Sequence, residues 1–321
     1  MSNIDYIVLD RDGGAMLEAC IASIDLQNPP PARVIIIDNG SRAPVSARLA
    51  RRANRIIDRS ETNLGFAAGA NRGLRHVSAD YVSLINNDVV LAPDWSASVA
   101  AALNSDDRCA AAQSVILRPD GRVDGAGVDV SDGTYRQTGH GLQLAELAGG
   151  EADSTGGEAD STSGAAVASA AGPPGNSLRD THRYPWGVSA TAAIYRTAAL
   201  RQVSEGGEIF DSRFFAYYED VELCARLVAA GWRMALLPLP KATHAGSASA
   251  PLLGRRALGL RTRNRHWVHR LHPSVGRLVP LLREDVGSMV RLLARLRLAD
   301  AAVVVWGVVT GLLAPLGRRG T

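Results

Sequence analysis

The chain has 321 residues, of which 46% are hydrophobic and 21% are charged, an ordinary globular composition with room for one large domain or two smaller ones. Charge is unevenly distributed: the segment from Pro251 onward holds 13 Arg and three acidic residues, a net of +10, whereas the first 250 residues carry −7. Three widely spaced cysteines without a CxxC pair exclude a disulfide framework and a cysteine zinc site. The acidic N-terminus lacks the apolar core of a secretion signal, so we expect a cytoplasmic protein.

Strands and helices alternate through the first 117 residues. Apolar runs predict strands at 4–9, 34–37, 55–58, 81–85 and 111–117, with helices between them at 16–24, 44–53, 65–76 and 94–104. Continuous apolar runs are typical of a parallel sheet covered on both faces. The pattern therefore predicts a doubly wound, Rossmann-like α/β domain with helices on both faces of the sheet, whose ligands bind beyond the carboxyl ends of the strands.

A low-complexity segment interrupts this pattern at 143–180. It is rich in Gly, Ala, Ser, Asp and Glu and contains a direct repeat, at 149–155 and 156–162. Such a composition lacks the apolar surface needed to offset the entropy of ordering. We predict a flexible inserted loop, and favour a repeat expansion without a role over a lid.

Ordered structure is predicted again from Tyr184. We expect a strand at 188–195, a helix at 214–230, a strand at 232–237 and a loop at 238–247, followed by basic helices. This organisation predicts a catalytic domain at 1–250 and a basic amphipathic helical segment at 251–321.

Polar clusters follow several of the predicted strands and open one helix. They are Asp38-Asn39-Gly40-Ser41, Asn86-Asn87-Asp88, Glu219-Asp220 and the loop residue His244. Each has an ordinary structural explanation as a turn, a helix cap, a helix start favourable to acids, or an exposed histidine.

The same clusters also suit a specific chemistry. Mg²⁺ and Mn²⁺ prefer oxygen ligands and often use one or two carboxylates plus substrate phosphates, which Asp88 and Asn86 could supply together with His244. Adjacent carboxylates at 219 and 220 follow an aromatic run, and a partly dry environment raises a carboxyl pKa and suits a general base.

The order of these clusters resembles the family 2 inverting glycosyltransferases, which have the GT-A fold with a mixed sheet. The resemblance is carried by 34–41 (VIIIDNGS), 63–73 (NLGFAAGANRG), 81–88 (YVSLINND) and 214–226 (FFAYYEDVELCAR) with Gly231, and covers residues 4–270 apart from the insert. Among bacterial members it is nearest to the rhamnosyltransferase-like and galactofuranosyltransferase-like ones.

The resemblance implies a role for each matched position. Asp220 would be the catalytic base, with Glu219 beside it, and the metal would be held by Asp88, Asn86 and His244. The nucleotide-binding set would comprise Asp38, Asn39, Asn63, Gly65, Asn71, Arg72 and Asn87, while Trp186 and Gly187 match the acceptor-side loop. Members usually end the first strand with Thr-Tyr-Asn, whereas this chain has Leu9-Asp10-Arg11-Asp12, so Asp10 is expected to take over a base contact.

The expected function is transfer of a sugar from a nucleotide-diphosphate sugar to a hydroxyl of a lipid-linked or polysaccharide acceptor in cell-envelope glycan synthesis. dTDP-rhamnose, UDP-galactofuranose and UDP- or GDP-hexoses all remain open as donors, with Mg²⁺ or Mn²⁺ as cofactor. Two alternatives are a non-catalytic nucleotide-sugar or glycan-binding relative and a sugar nucleotidyltransferase. The second predicts a glycine-rich phosphate signature near the N-terminus, which Gly13-Gly14 matches poorly.

The basic C-terminal segment resembles the tail of bacterial lipid-linked glycan transferases. Apolar residues recur at helical spacing between 281 and 296, punctuated by arginines, and such a helix can lie in a membrane interface. We therefore predict peripheral attachment to the inner face of the cell membrane and no nucleic-acid partner. The alternatives are packing on the catalytic domain, a homodimer, and a membrane span at 301–317, which is at the lower limit of length.

Overall fold

The computed structural model describes residues 3–45, 47–130, 132–149, 184–246 and 253–316. Its strands are β1 (Ile4–Asp10), β2 (Arg33–Asn39), β3 (Arg55–Ser60), β4 (Tyr81–Asn86), β5 (Val89–Leu91), β6 (Cys109–Leu117), β7 (Val123–Gly125), β8 (Val128–Asp129), β9 (Arg136–Gln137), β10 (Ala192–Arg196) and β11 (Arg233–His244). Its α-helices are α1 (Ala15–Asp25), α2 (Gly65–Leu74), α3 (Trp95–Leu103), α4 (Leu144–Gly149), α5 (Thr197–Gln202), α6 (Glu219–Ala229), α7 (Arg255–Leu271), α8 (Leu278–Ala294) and α9 (Leu298–Leu313).

One large mixed sheet organises the described chain. Its order is β3-β2-β1-β4-β10-β6-β11-β5, with β7 paired to β6, and β8 and β9 form a separate two-stranded sheet. Strands β1 to β4 are mutually parallel, and β10 enters antiparallel between β4 and β6. Strand β11 then runs parallel to β6. The carboxyl ends of β1, β2 and β4 therefore meet at one edge of the sheet.

Both faces of the sheet are covered, as the continuous apolar runs predict. In β2, Val34 and Ile36 belong to one core cluster, which includes the buried side chains of α1 and α3. Ile35 and Ile37 belong to a second cluster on the opposite face, with residues of α2, α5 and α6. Each such fully buried side chain contributes roughly 1.5–3 kcal/mol by leaving water. The parallel strands are thus fixed on both sides, which holds their polar ends in place.

Several predicted elements differ in the structure. The segment 44–53 contains a short 3₁₀ helix, Ala47–Arg51, and the strand predicted at 188–195 is confined to Ala192–Arg196. The helix predicted at 214–230 begins only at Glu219, because Phe215, Tyr217 and Tyr218 adopt positive φ angles of 66°, 71° and 69°, which a right-handed helix does not allow.

The strand predicted at 232–237 continues to His244, so the predicted loop around this histidine is wrong. Pro238 and Pro240 suggest a strand end because proline lacks an N–H, but here they coincide with register shifts against β6. The start of the predicted insert, at 144–149, is helical. The rest of the prediction for 143–180 falls mainly on 150–183, which lie outside the described residues.

The three tail helices pack against one another and against the α/β domain. Glycines on α9 and α7 allow close contact: Gly307 lies against Thr262, and Gly259 lies against Trp306. At the domain side, the ring of Trp267 meets Phe214 edge to face, with centroids 5.7 Å apart. In the described parts of the chain, no helix combines the length and apolarity needed to cross a membrane.

Candidate active site

A cavity of about 940 Å³ opens at the carboxyl ends of the central strands. Most of the site residues expected from the sequence line it: Asp10, Asn39, Asn63, Gly65, Asn86, Asn87, Asp88, Glu219, Asp220 and His244. These residues come from β1, β2, β4, α6 and β11 and the segments that follow the strands, so residues far apart in the chain share one cavity. The remaining expected residues, Asp38, Asn71, Arg72, Trp186 and Gly187, are not part of its lining.

Asp10 and Asn87 form one end of the cavity. The amide of Asn87 donates a hydrogen bond of 2.6 Å to Oδ1 of Asp10. Burial raises the pKa of Asp10, while the hydrogen bond from Asn87 lowers it in part. A Cβ on Gly13 would lie 2.2 Å from Asp10 Oδ1, so a glycine there lets the chain pass close to this pair.

Asn39 fixes the turn that leads into α2. Its Nδ2 donates to the carbonyl oxygen of Gly65 at 2.9 Å, and its Oδ1 accepts from the backbone of Leu64 at 2.9 Å. The side chain of Asn63 accepts from the amide of Gly65 at 2.9 Å. These contacts place the N-terminus of α2 against the cavity, where the backbone amides of Phe66 and Ala67 donate to the carbonyl oxygen of Phe215.

Three of the expected nucleotide contacts are engaged elsewhere in the fold. Asp38 is buried and accepts hydrogen bonds from the backbone of Ser41 and from Arg59. The amide of Asn71 spans to the backbone of Phe210, and Arg72 forms an ion pair with Asp58. Asn71 and Arg72 lie about two turns into α2, so they lie beyond the helix end that reaches the cavity.

Asp88 and His244 meet in the cavity lining. Nε2 of His244 lies 3.2 Å from Oδ1 of Asp88, and Nδ1 lies 2.8 Å from Oδ2 of Asp124 on β7. Burial alone would lower the pKa of His244, but its two carboxylate partners outweigh it and raise this pKa to about 9. Asp124 carries no local sequence signal, because its partner lies 120 residues further along the chain.

The donor set at Asp88 and His244 fits a divalent cation. One carboxylate and one imidazole are suitable ligands for Mn²⁺, and a carboxylate on the far ring nitrogen commonly orients a ligating histidine. Within the described residues, no group of three or more His, Cys, Asp or Glu side chains is arranged to hold a metal by itself. Oxygens of a substrate phosphate would therefore have to complete the coordination.

Glu219 and Asp220 begin α6 and line the cavity. Oδ2 of Asp220 accepts from the amide of Ala190 at 3.2 Å, and Oδ1 accepts from the amide of Val221 at 2.9 Å. Burial raises the pKa of both carboxyl groups, and the charge of Asp220 raises the pKa of Glu219 further, well above its usual value. The two backbone amides lower the pKa of Asp220 in part, so Asp220 is the better candidate for a base.

The loop before this pair is held in an unusual backbone conformation. Three non-glycine residues of 215–218 have positive φ angles. The buried amide of Asn264 on α7 lies 3.0, 2.9 and 2.7 Å from the carbonyl oxygens of Phe214, Ala216 and Tyr217. Strain of this kind persists only where the surroundings enforce it, so α7 is part of the structure that shapes the site.

Trp186 and Gly187 support the cavity wall from behind. Gly187 exchanges backbone hydrogen bonds with Val128, which lines the cavity. A Cβ on Gly187 would lie 3.1 Å from the sulfur of Cys224, so the glycine allows the backbone at this position to approach α6 closely.

The fold is the one seen in GT-A glycosyltransferases. One similar solved structure is the mannosyltransferase PcManGT from Pyrobaculum calidifontis in complex with GDP-Man and Mn²⁺. The match covers 97% of this chain and 87% of the mannosyltransferase chain, with a TM-score of 0.53 at 13% identity. GalNAc-T7 with UDP, GalNAc and Mn²⁺ matches 84% of this chain, with a TM-score of 0.55 at 11% identity, and the chain spans 48% of its length. At these identities the likeness shows the fold.

Sequence comparison relates the chain to known glycosyltransferases. Residues 8–150 match the family model Glycosyl transferase family 2. The N-acetylglucosaminyl-diphospho-decaprenol L-rhamnosyltransferase of Mycobacterium tuberculosis is 26% identical over 253 residues, which are 75% of each protein. The two matches support the resemblance of the chain to family 2 glycosyltransferases of the rhamnosyltransferase-like kind.

Proposed function

We propose that the chain transfers a sugar from a nucleoside diphosphate donor to a hydroxyl of a polyprenyl-diphosphate-linked saccharide in cell-envelope glycan synthesis, with inversion at the anomeric carbon. dTDP-rhamnose is the donor we favour, because the similar mycobacterial protein is named as a rhamnosyltransferase that acts on a decaprenol-linked sugar. UDP-galactofuranose is the next candidate. The observation that carries the proposal is that Asp220 lies in the same cavity as Asp88 and His244.

The geometry supports a single-displacement mechanism. Asp220 accepts the proton of the acceptor hydroxyl as the hydroxyl oxygen attacks the anomeric carbon and the bond to the nucleoside diphosphate breaks. Help from a general base of this kind is worth roughly 10²–10⁴-fold in rate. Mg²⁺ or Mn²⁺, held by Asp88 and His244 with the Asn86 side chain beside them, would neutralise charge on the leaving diphosphate when bound.

Binding of the donor would use the strand ends and the start of α2. Asp10, Asn39 and Asn87 offer carboxyl and amide groups for the base and ribose. The N-terminal end of α2, with Asn63 and Gly65 in the cavity lining, favours phosphate through the helix dipole. In this proposal Asp38, Asn71 and Arg72 support these groups, as their buried hydrogen bonds indicate.

A lipid-linked acceptor requires the enzyme to work at a membrane surface, and the tail offers a suitable face. On α9 the exposed large side chains are Leu298, Val305, Trp306, Val309 and Leu313, and the only charged residue of this helix, Asp300, is buried. Arg291, Arg295 and Arg297 flank this face and would meet anionic headgroups. We propose peripheral attachment to the cytoplasmic leaflet through this surface.

A transfer assay tests the proposed function directly. The full chain is incubated with Mn²⁺, a short polyprenyl-diphosphate-linked N-acetylglucosamine, and in turn dTDP-rhamnose, UDP-galactofuranose, UDP-glucose and GDP-mannose. We expect product with one donor, with dTDP-rhamnose preferred, and none when the metal is removed by EDTA. If none of the four donors gives product and none raises the melting temperature with Mn²⁺ present, the proposed function is wrong.

A further inference from the structure

Three arginines of α7 stack on aromatic rings next to the cavity. Arg256 lies over Phe215 at 4.3 Å, Arg261 over Tyr217 at 4.4 Å, and Arg263 over Trp267 at 4.0 Å from the guanidinium carbon to the ring centroid. Two of these rings belong to the strained loop at 215–218. Stacking fixes the plane of a guanidinium while leaving the N–H groups at its edge available.

Arg256 and Arg261 have no acidic partner, in contrast to two other arginines of the same helix. Arg255 pairs with Asp300, and Arg265 pairs with Glu284 and Asp285. Within the described ranges, no carboxylate lies within ion-pair distance of Arg256 or Arg261. Their side chains are exposed, so they carry positive charge toward solvent and the cavity mouth.

The positive charge here is dense enough to affect a neighbouring group. Arg263 is directed inward and donates to Asn264 and to the backbone of Phe214. Burial lowers its pKa to about 10, and repulsion from Arg256 contributes to this decrease. An anion bound at the two exposed guanidinium groups would relieve this repulsion.

The location of the stacked arginines relates them to the reaction. Phe215, Tyr217 and Arg261 line the same cavity as Asp220, and the loop leads directly into α6. Asp88, Asp124 and His244 also line this cavity, so it holds an acidic group as well as the guanidinium of Arg261.

We propose that Arg256 and Arg261 form an anion subsite that binds the diphosphate of a substrate. This inference rests on the proposed function, which supplies two molecules with that group, the donor and the lipid-linked acceptor. A guanidinium edge is well suited to phosphate oxygens, since it donates parallel charge-assisted hydrogen bonds. Asp88 and His244 are proposed to hold the metal at the donor diphosphate, whereas Arg261 stacks on Tyr217, three residues before the proposed base, so we favour the diphosphate of the acceptor.

Kinetics with matched acceptors test this subsite. Arg256→Ala, Arg261→Ala and Arg261→Lys are compared with the natural chain on two acceptors of the same sugar, one linked through diphosphate to a short polyprenyl chain and one an alkyl glycoside without phosphate. For the diphosphate acceptor we expect KM to rise roughly tenfold with each Ala variant, with kcat within about twofold. Arg261→Lys should restore part of the loss, and KM for the alkyl glycoside should stay unchanged.

Arg233→Ala is the matched control, because Arg233 stacks on Tyr184 at 5.7 Å and does not line the cavity. A rise in the KM of the donor instead would assign the subsite to the donor diphosphate. Unchanged KM values for both substrates would overturn the proposal. If the natural chain transfers to neither acceptor, the subsite is tested by calorimetric titration with inorganic pyrophosphate. Weaker binding of pyrophosphate by the two Ala variants supports the subsite although the proposed function fails. Equal binding by the natural chain and the variants rejects the subsite.

Discussion

The side-chain amide of Asn264 on α7 donates a 2.7 Å hydrogen bond to the carbonyl oxygen of Tyr217, two residues before Glu219. Left-handed backbone at a bulky non-glycine residue costs of order 1–3 kcal/mol, and the loop has three such residues. Contacts from Asn264 to three carbonyl groups offset that cost. The tail helices are therefore a structural part of the active site, because they hold the loop that orients the proposed base.

Removal of this contact should affect catalysis as well as stability. Asn264→Ala leaves the carbonyl oxygens of Ala216 and Tyr217 without their buried donor, which costs about 1–3 kcal/mol in the free energy of unfolding. We also expect kcat to fall at least about tenfold, since the loop that positions Asp220 can relax. Denaturant titration and steady-state kinetics measure the two effects. Asn54→Ala, which removes one amide contact to Pro31 away from the cavity, should change stability alone.

The two acidic residues that begin α6 should differ sharply in their importance. Asp220→Asn removes the base and should lower kcat by about 10²–10⁴-fold while donor binding is retained. Glu219→Gln replaces the carboxyl group whose pKa is raised well above its usual value by a neutral side chain of similar shape, so we expect kcat at pH 7 to fall by much less. Equal losses in the two variants would contradict the assignment of Asp220 as the base.

The raised pKa of Glu219 should be visible in the pH dependence of stability. A carboxyl group whose pKa is higher in the folded than in the unfolded state stabilises the fold below its unfolded pKa, and this contribution is lost as pH rises toward the folded pKa. The slope over that interval is about 1.4 kcal/mol per pH unit for one proton. We expect the free energy of unfolding of the natural chain to fall more steeply above pH 5 than that of Glu219→Gln, measured by urea titration at several pH values.

The sequence predicts the main features of the site because they are local to the strand ends. Asp10, Asn86 and Asp88 follow buried parallel strands, and parallel strands bring their carboxyl ends to one edge. The order of these motifs with Glu219 and Asp220 gives the resemblance to the family, which the comparisons support. The cavity-lining residues at the ends of β1, β2 and β4 are therefore predictable from apolar runs and the polar residues that follow them.

Features set by contacts between distant segments could not be predicted in this way. The segment 215–218 is predicted as the start of a helix, because nothing in its local sequence indicates its contact with Asn264, about 50 residues further along the chain. Asp124 has no pattern of its own, and its role follows only from its 2.8 Å contact with His244. The prolines of β11 likewise suggest a strand end, although the strand continues to the cavity.

Asp124 should govern how strongly the metal is held. Asp124→Asn leaves Asp88 and His244 in place but replaces the carboxylate that orients the histidine ring. Loss of such a partner typically weakens metal binding by about 10–100-fold. The Mn²⁺ concentration that gives half-maximal activity should rise by that factor, while activity at saturating Mn²⁺ recovers most of its value. Asp129→Asn, on the neighbouring strand β8 and outside the cavity lining, serves as the control, and an equal shift in that variant would contradict the role of Asp124.

The apolar face of α9 should bind anionic membranes. Co-sedimentation with vesicles of phosphatidylglycerol and phosphatidylcholine should recover the full chain, whereas pure phosphatidylcholine vesicles should recover much less, since the flanking arginines need negative headgroups. Trp306→Asp places a charge at the centre of the exposed face and should reduce binding at least about tenfold, because it removes apolar contact and adds repulsion. Leu26→Asp is the matched control, since Leu26 is 67% exposed at the end of α1. Normal vesicle binding by the Trp306 variant would contradict the membrane proposal. If, in addition, the natural chain sediments as a dimer and the variant as a monomer, α9 forms a contact between two copies of the chain.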